Sequence, residues 1–220
     1  MELSFPLMIG ILGAATHAVD LGGSLFLFPS ESAYVTLEPE MTAPLKSFTV
    51  CLRAFTEHTR HHGLFSVNNS THGVYIQLSV NQGEFPFSVF VGGKGLQFKD
   101  LGYGSVRRQH ICVTWDSDTG VTQVFLNAEK LARKVVNQGY TIEGPLQITL
   151  GQKKHLFGAY FYSNPSFVGE IGDVHMWNSV QHPQVIYLSY DNSPGVTGNV
   201  LNWRNLRYET KGGVLVLPVQ

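Results

Sequence analysis

The run His110-Ile111-Cys112-Val113-Thr114-Trp115-Asp116-Ser117 constrains this chain more than any other stretch. Ile111, Val113 and Trp115 alternate with His110, Cys112 and Thr114, the period of a half-buried strand. Asp116-Ser117-Asp118-Thr119-Gly120 is a turn-forming run that ends it. Cys112 has one possible partner, Cys51, because the chain holds two cysteines. Cys51 lies in a second alternating run, Phe48 to Phe55, where Phe48, Val50, Leu52 and Ala54 share a face. In both runs the cysteine sits on the face opposite the most apolar set. A bond between them would staple two strands distant in sequence and leave the core side untouched.

Whether that bond forms depends on the compartment, and the N-terminus speaks to this. Leu3 to Ala15 is largely apolar, about the length of a signal-peptide core and too short to span a bilayer. Thr16-His17-Ala18 is a small-x-small cleavage site. The expectation is a leader over 1–18, removed, and a mature chain from Val19, secreted and extracellular with no transmembrane segment. Glu2 stands where such leaders usually carry Lys or Arg, and a buried N-terminal strand is the competing reading. In an oxidising compartment two cysteines most simply form one disulfide; two buried free thiols are the alternative. Loss of the leader removes one acidic residue and leaves fifteen charges of each sign. No long-range field toward nucleic acid or anionic membrane is implied.

At 220 residues the chain suits one all-β domain. Its 43% apolar content argues against disorder, and 12% aromatic residues with 23 glycines and 10 prolines favour short strands joined by turns. Strands are predicted at 24–28, 33–37, 48–55, 64–67, 74–80, 85–91, 110–115, 121–126, 131–136, 146–150, 167–177, 200–203 and 214–219. Asn81-Gln82-Gly83 and Gly92-Gly93 mark turns. Pro183, with Val185, Ile186 and Leu188 behind it, predicts one short helix stopped by Asp191-Asn192-Ser193-Pro194-Gly195. More than ten short strands at this spacing pack naturally as two antiparallel sheets.

His110-x-Cys112-x-Thr114-Trp115-x-Ser117 resembles the signature of the pentraxins. Phe28-Pro29-x-Glu31-Ser32, Gly139-Tyr140, Leu150-Gly151-Gln152, Val168 to Gly172 and Val200-Leu201-Asn202-Trp203 resemble further landmarks in family order. The resemblance covers essentially the whole of 19–220, and the length is that of a short pentraxin. It implies an all-β fold: a two-sheet antiparallel jelly-roll (lectin-like) sandwich with one short helix on one face.

The resemblance also implies two calcium ions per subunit that hold a phosphate- or carboxylate-bearing ligand. Calcium needs six to eight oxygen ligands. Carried over position by position, the family's ligands fall on Thr71, His72, Lys153, Lys154, His155, Tyr162 and Pro165, and the match fails. Calcium binding there is predicted weak or absent, although Asn68 and Asn69 could supply amide oxygens in another alignment. The family's choline pocket lands on Gln77 and Gly95, which offer neither an aromatic face nor an anion.

Two replacements for the calcium bridge fit the residues. His72, Lys153, Lys154 and His155 could form a cationic patch for anionic ligands, against a plain solvated loop. His58, His61, His62, His72 and His155 could bind zinc or copper, against exposed loop histidines without metal. Asn68-Asn69-Ser70-Thr71 carries two overlapping glycosylation sequons, with an unmodified loop as the alternative. An enzyme is not expected. Glu170-Ile171-Gly172-Asp173 lacks the later carboxylate of a glycosidase strand motif, and on a regular strand its two acids would point to opposite faces.

The family resemblance therefore implies a secreted, non-enzymatic recognition protein of innate immunity, acting in an acute-phase setting. It would bind microbial or damaged-cell surfaces multivalently as a cyclic homo-oligomer, a pentamer by family habit. Complement is a further implied partner, through a helix-side groove where Asn127 and Tyr190 fall at matching positions and Asn127 replaces an acid. The competing class is a structural or carrier protein that keeps the fold and has lost ligand recognition.

Overall fold

A computed structural model describes residues 17–41, 44–58, 62–69, 78–80, 87–98, 108–152 and 166–219, without the side chains of 68–69 and 78–80. The strands are β1 (Ser24–Phe28), β2 (Tyr34–Glu38), β3 (Ser47–Phe55), β4 (His62–Asn69), β5 (Leu78–Val80), β6 (Phe87–Val91), β7 (Lys94–Phe98), β8 (Gln109–Asp116), β9 (Val121–Leu126), β10 (Glu129–Lys130), β11 (Lys134–Val135), β12 (Leu146–Leu150), β13 (Gly169–Trp177), β14 (Arg207–Lys211) and β15 (Leu215–Pro218). Among the described residues one helix, α1, spans Pro183–Tyr190. The first sheet runs β10-β9-β8-β3-β13-β1-β15, with β11 also on β9; the second runs β14-β2-β12-β4-β5-β6-β7. All pairings are antiparallel.

The sandwich is filled by the alternating inner faces of both sheets. Phe26 and Phe28 of β1, Phe48, Val50 and Leu52 of β3, and Ile111, Val113 and Trp115 of β8 are fully buried in one cluster. Val35, Val67, Ile148 and Leu150 meet them from the second sheet. Trp115 stacks on Phe48 at 5.7 Å between ring centroids, and its indole N–H donates to the Val136 carbonyl at 3.1 Å. The indole thus buries its area without leaving a polar atom unmatched.

The expected β1, β9 and β12 appear with the predicted bounds. The Gly92-Gly93 turn joins β6 to β7 with φ of 56° and 79°, the mirror-image turn that suits hairpin twist and that glycine adopts freely. Three expectations differ. Val200 to Trp203 is buried but carries only an isolated bridge from Leu201 to Met176, so its apolarity reports burial rather than a strand. In the expected 131–136 strand, Leu131 turns into the core and only Lys134–Val135 pairs. β7, β10 and β14 were not expected. Arg207-Tyr208-Glu209-Thr210-Lys211 is too polar to signal a strand, and it forms the edge of the second sheet, where charge discourages further pairing.

Helix α1 lies over the outer face of the first sheet. Ile186 packs with Cys51, Cys112, Phe125 and Trp177 in a small second cluster. Pro183 opens the helix, and the His182 ring nitrogen Nδ1 accepts the Gln184 N–H at 3.2 Å, capping one orphan donor. Among the described residues no helix is long and apolar enough to cross a membrane.

Candidate functional site

Cys51 and Cys112 stand directly opposite each other on adjacent strands β3 and β8 and form a disulfide, with Cα atoms 4.1 Å apart. Both are fully buried, beneath α1 and away from the main core. Their sulfurs lie close to His110, but the bond removes the thiolates a metal would need. The disulfide joins strands that already pair, so it acts mainly on the unfolded chain. Closing 61 residues lowers that state's entropy by about 4 kcal/mol equivalent.

The other signature residues are also built into the fold. Thr114 is buried, and His110 donates its backbone N–H to the Asn127 side-chain oxygen at 2.9 Å. Its ring Nε2 sits 3.1 Å from the Ser189 hydroxyl on α1. Ser117 donates its hydroxyl to the Tyr140 carbonyl and its N–H to the Lys46 carbonyl. The His-x-Cys-x-Thr-Trp-x-Ser run therefore anchors the helix, the core and a turn, and presents no ligand group to solvent.

A cleft of about 290 Å³ opens beside the helix C-terminus. It is lined by Arg53, Arg108, Glu170, Asp173, Tyr190 and Arg204, with the Gly22-Gly23 backbone at one wall. Strand parity puts Arg53 on the Cys51 face of β3, toward the helix. Its guanidinium donates Nε to Asp173 at 3.1 Å, and Nη2 to the Ser189 and Tyr190 carbonyls at 2.9 and 2.7 Å. Two of the helix's terminal carbonyls are thus satisfied from the sheet.

Asp173 reaches this place through a register shift in β13 between Gly172 and His175, where its own φ is +52°. The shift reverses strand parity, so Glu170 and Asp173 line one cleft instead of pointing to opposite faces as expected. Glu170 pairs with Arg108 at 2.7 Å. Asp173 pairs with Arg53 and with the His175 Nε2 at 3.3 Å. His175 accepts the Gly198 and Trp203 N–H groups at Nδ1, both at 3.4 Å, which leaves its proton on Nε2, facing Asp173. Burial pushes the Asp173 carboxyl up, but the His175 and Arg53 contacts outweigh it and hold the group below its usual value. Burial foremost, with the Arg53 charge adding to it, lowers His110 to about 4, so its ring is neutral at physiological pH. Sequence alone missed this network: Arg53 could have been found by parity with Cys51, but nothing in the sequence signals the bulge at Asp173.

The expected ligand positions fare differently. Thr71, His72, Gln77, Lys153, Lys154, His155, Tyr162 and Pro165 lie outside the described residues, as does His61. Asn68 and Asn69 belong to β4, their backbones opposite Gln147 and Leu146. Gly95 pairs with Phe90 in the β6–β7 ladder. His58 is exposed, whereas His62 is a buried strand residue against the Phe167 ring, 5.3 Å between centroids, not part of an exposed histidine loop. Tyr190 is exposed at the cleft, and Asn127 uses its amide to bond Gln109 and the His110 N–H.

Comparison with known proteins agrees with this architecture. The sequence model of the Pentaxin family matches residues 24–218. Serum amyloid P-component from Bos taurus is 36% identical over 220 residues, covering 99% of this chain and 97% of that one. C-reactive protein from Sus scrofa is 38% identical over 221 residues, with 99% and 97% covered. Mucosal pentraxin from Bos taurus is 38% identical, with 96% and 95% covered. Among solved structures, the native heptameric SAP-like pentraxin of Limulus polyphemus matches with a TM-score of 0.79 over 91% of this chain and 97% of that chain, at 19% identity.

Proposed function

The chain belongs to the pentraxin family, and we propose that within it this protein is a secreted recognition protein of innate immunity that works without the usual calcium bridge. It binds anionic microbial or damaged-cell surfaces multivalently as a cyclic homo-oligomer, where weak identical sites on one ring reinforce each other. One feature of the sequence supports this reading: Lys153-Lys154-His155 directly follows Leu150-Gly151-Gln152, where the resemblance implies carboxylates.

The donor set does not fit calcium. Two ammonium groups, imidazoles and a proline occupy positions that need carboxylate and amide oxygens. An ammonium group beside a divalent cation repels it instead of binding it. Asn68 and Asn69 are neutral, so they could not offset that. Lys153, Lys154, His155 and His72 instead suit direct capture of phosphate, sulfate or carboxylate groups. A non-enzymatic role is supported by the two carboxylates of the helix-side cleft, since both are held in ion pairs.

Calcium titration of the mature protein by calorimetry tests the reading. No heat is expected. Binding between micromolar and millimolar would restore the calcium bridge and sink the proposal. Binding to anionic vesicles or polysaccharide should then persist in EDTA and fall in a Lys153→Glu/Lys154→Glu variant. Retained binding in that variant would point away from the patch. Loss of all ligand binding in the wild type would favour the structural or carrier role.

A further inference from the structure

The helix-side cleft holds three arginines and two acids, and the state of each decides what the cleft offers a ligand. Asp173 has both oxygens engaged, by Arg53 and His175. Arg53 is committed to Asp173 and to the helix carbonyls. Arg108 gives one N–H to Glu170 and, among the described residues, makes no other side-chain bond. Arg204, across the cleft, makes no ion pair and no side-chain hydrogen bond among the described residues. Only its backbone N–H is engaged, by Asn202. Asp20 is close by but turns its Oδ1 to the Gly22 N–H at 2.7 Å. Glu170 Oε1 and Asp20 Oδ2 remain as acceptors, and among the described residues the unengaged donors are concentrated on Arg204 and the free edge of Arg108.

The shape supports the same conclusion. The Arg204 guanidinium lies against Gly22, and a Cβ at that position would collide with it. Gly23 faces open space. The volume of about 290 Å³ is at the small end of ligand sites. Tyr190, 40% exposed, supplies an aromatic face at the rim.

We propose that this cleft is a second binding site, for small organic oxyanions that join a carboxylate, phosphate or sulfate to a flat apolar group. The planar fork of Arg204 grips the anion in two-point fashion, Arg108 adds a second cation, and Tyr190 stacks on the flat part. The site is independent of the recognition reading above. It lies on the helix side, uses none of the 68–72 or 153–155 residues, and requires no metal.

The test is calorimetry of the mature protein with phenyl phosphate and benzoate, in EDTA, with benzyl alcohol as the uncharged control. At least one anion should bind and the alcohol should not; which anion binds separates phosphate from carboxylate ligands. Arg204→Gln should weaken binding about tenfold or more and leave the melting temperature unchanged. Gly22→Ala, which pushes the guanidinium aside, should weaken it as well. Glu170→Gln should strengthen it, by removing a negative charge and releasing Arg108. A Lys153→Gln/Lys154→Gln variant should bind as the wild type does. Unchanged affinity in Arg204→Gln, equal binding of benzyl alcohol, anion binding lost only in the Lys153/Lys154 variant, or no binding of either anion would each overturn the proposal.

Discussion

The two faces of strands β3, β8 and β13 are made on different principles. The inner face is a matter of volume: Phe48, Val50, Leu52, Ile111, Val113 and Trp115 fill the space between the sheets, with one polar atom, the Trp115 N–H, and that atom is bonded. The outer face is a matter of matched polarity. Arg53, His110, Asp173 and His175 each face another charged or polar group, and together they hold helix α1 at its C-terminal end. Among the described residues, the disulfide and a few apolar side chains around Ile186 supply the dry packing there. The inner face can thus tolerate exchange among apolar residues of similar size. The outer face tolerates little, because removing one member leaves a half-buried charge without its partner.

The largest effects should come from the inner face and from the disulfide. Trp115→Ala removes the largest fully buried side chain, the stack on Phe48 and the bond to Val136. It should cost about 4 kcal/mol in urea unfolding, whereas Trp115→Phe should cost roughly half of that. If the two variants are equally damaging, the bond to Val136 matters more than volume, and the contrast between the faces fails. The Cys51→Ala/Cys112→Ala pair should lower stability by about 4 kcal/mol. That loss should act through the unfolded chain, so the variant's folding rate should fall more than its unfolding rate rises. A selective loss of helix α1 instead would make the bond part of the outer-face anchor.

That division also explains what could be seen in the sequence. The inner face announces itself through period-two apolarity, so β3 and β8 and the orientation of Cys51 and Cys112 follow from alternation. The helix was visible too, because Pro183 and the Asp191-to-Gly195 run bracket it. The outer-face network was not. Its members are single polar residues scattered from 53 to 175, and the bulge that turns Asp173 inward leaves no mark on local composition. Edge strands such as β14 escape for the opposite reason, since their polarity hides a real ladder. The family's ligand residues bear on this chain only through resemblance, which implies that Lys153, Lys154 and His155 take their positions.

Acid should separate the faces without any substitution. His110 is lowered from 6.5 to about 4 in the folded protein. Between those values the unfolded chain binds a proton that the folded one resists. The stability His110 contributes is therefore fully present above pH 6.5 and is lost as pH falls toward 4, by about 3 kcal/mol. Asp173, held below its usual 3.8, adds a second loss at lower pH, beginning as pH falls through that value. The measurement is urea stability from pH 7 to 3.5 for the wild type and for His110→Gln. The variant should show a much shallower slope between 6.5 and 4. An unchanged slope would remove His110 from the network's electrostatics.

The smallest and most local effect is expected at Arg53. Its guanidinium bonds the last carbonyls of α1 and balances Asp173, with its side chain 22% accessible. Arg53→Met keeps much of the apolar stem but removes every one of those donors. The expected cost is about 2 kcal/mol, and it should be concentrated at the helix. Amide exchange in 187–191 should speed up, while β3 and β8, whose inner faces are intact, should exchange as before. Arg53→Lys should recover only part of the loss, because one ammonium cannot reproduce the forked contact to Asp173 and to two carbonyls at once. Full recovery by lysine would mean that charge alone holds the helix. Uniform acceleration of exchange across β3 would mean that the outer face is as much a part of the core as the inner one.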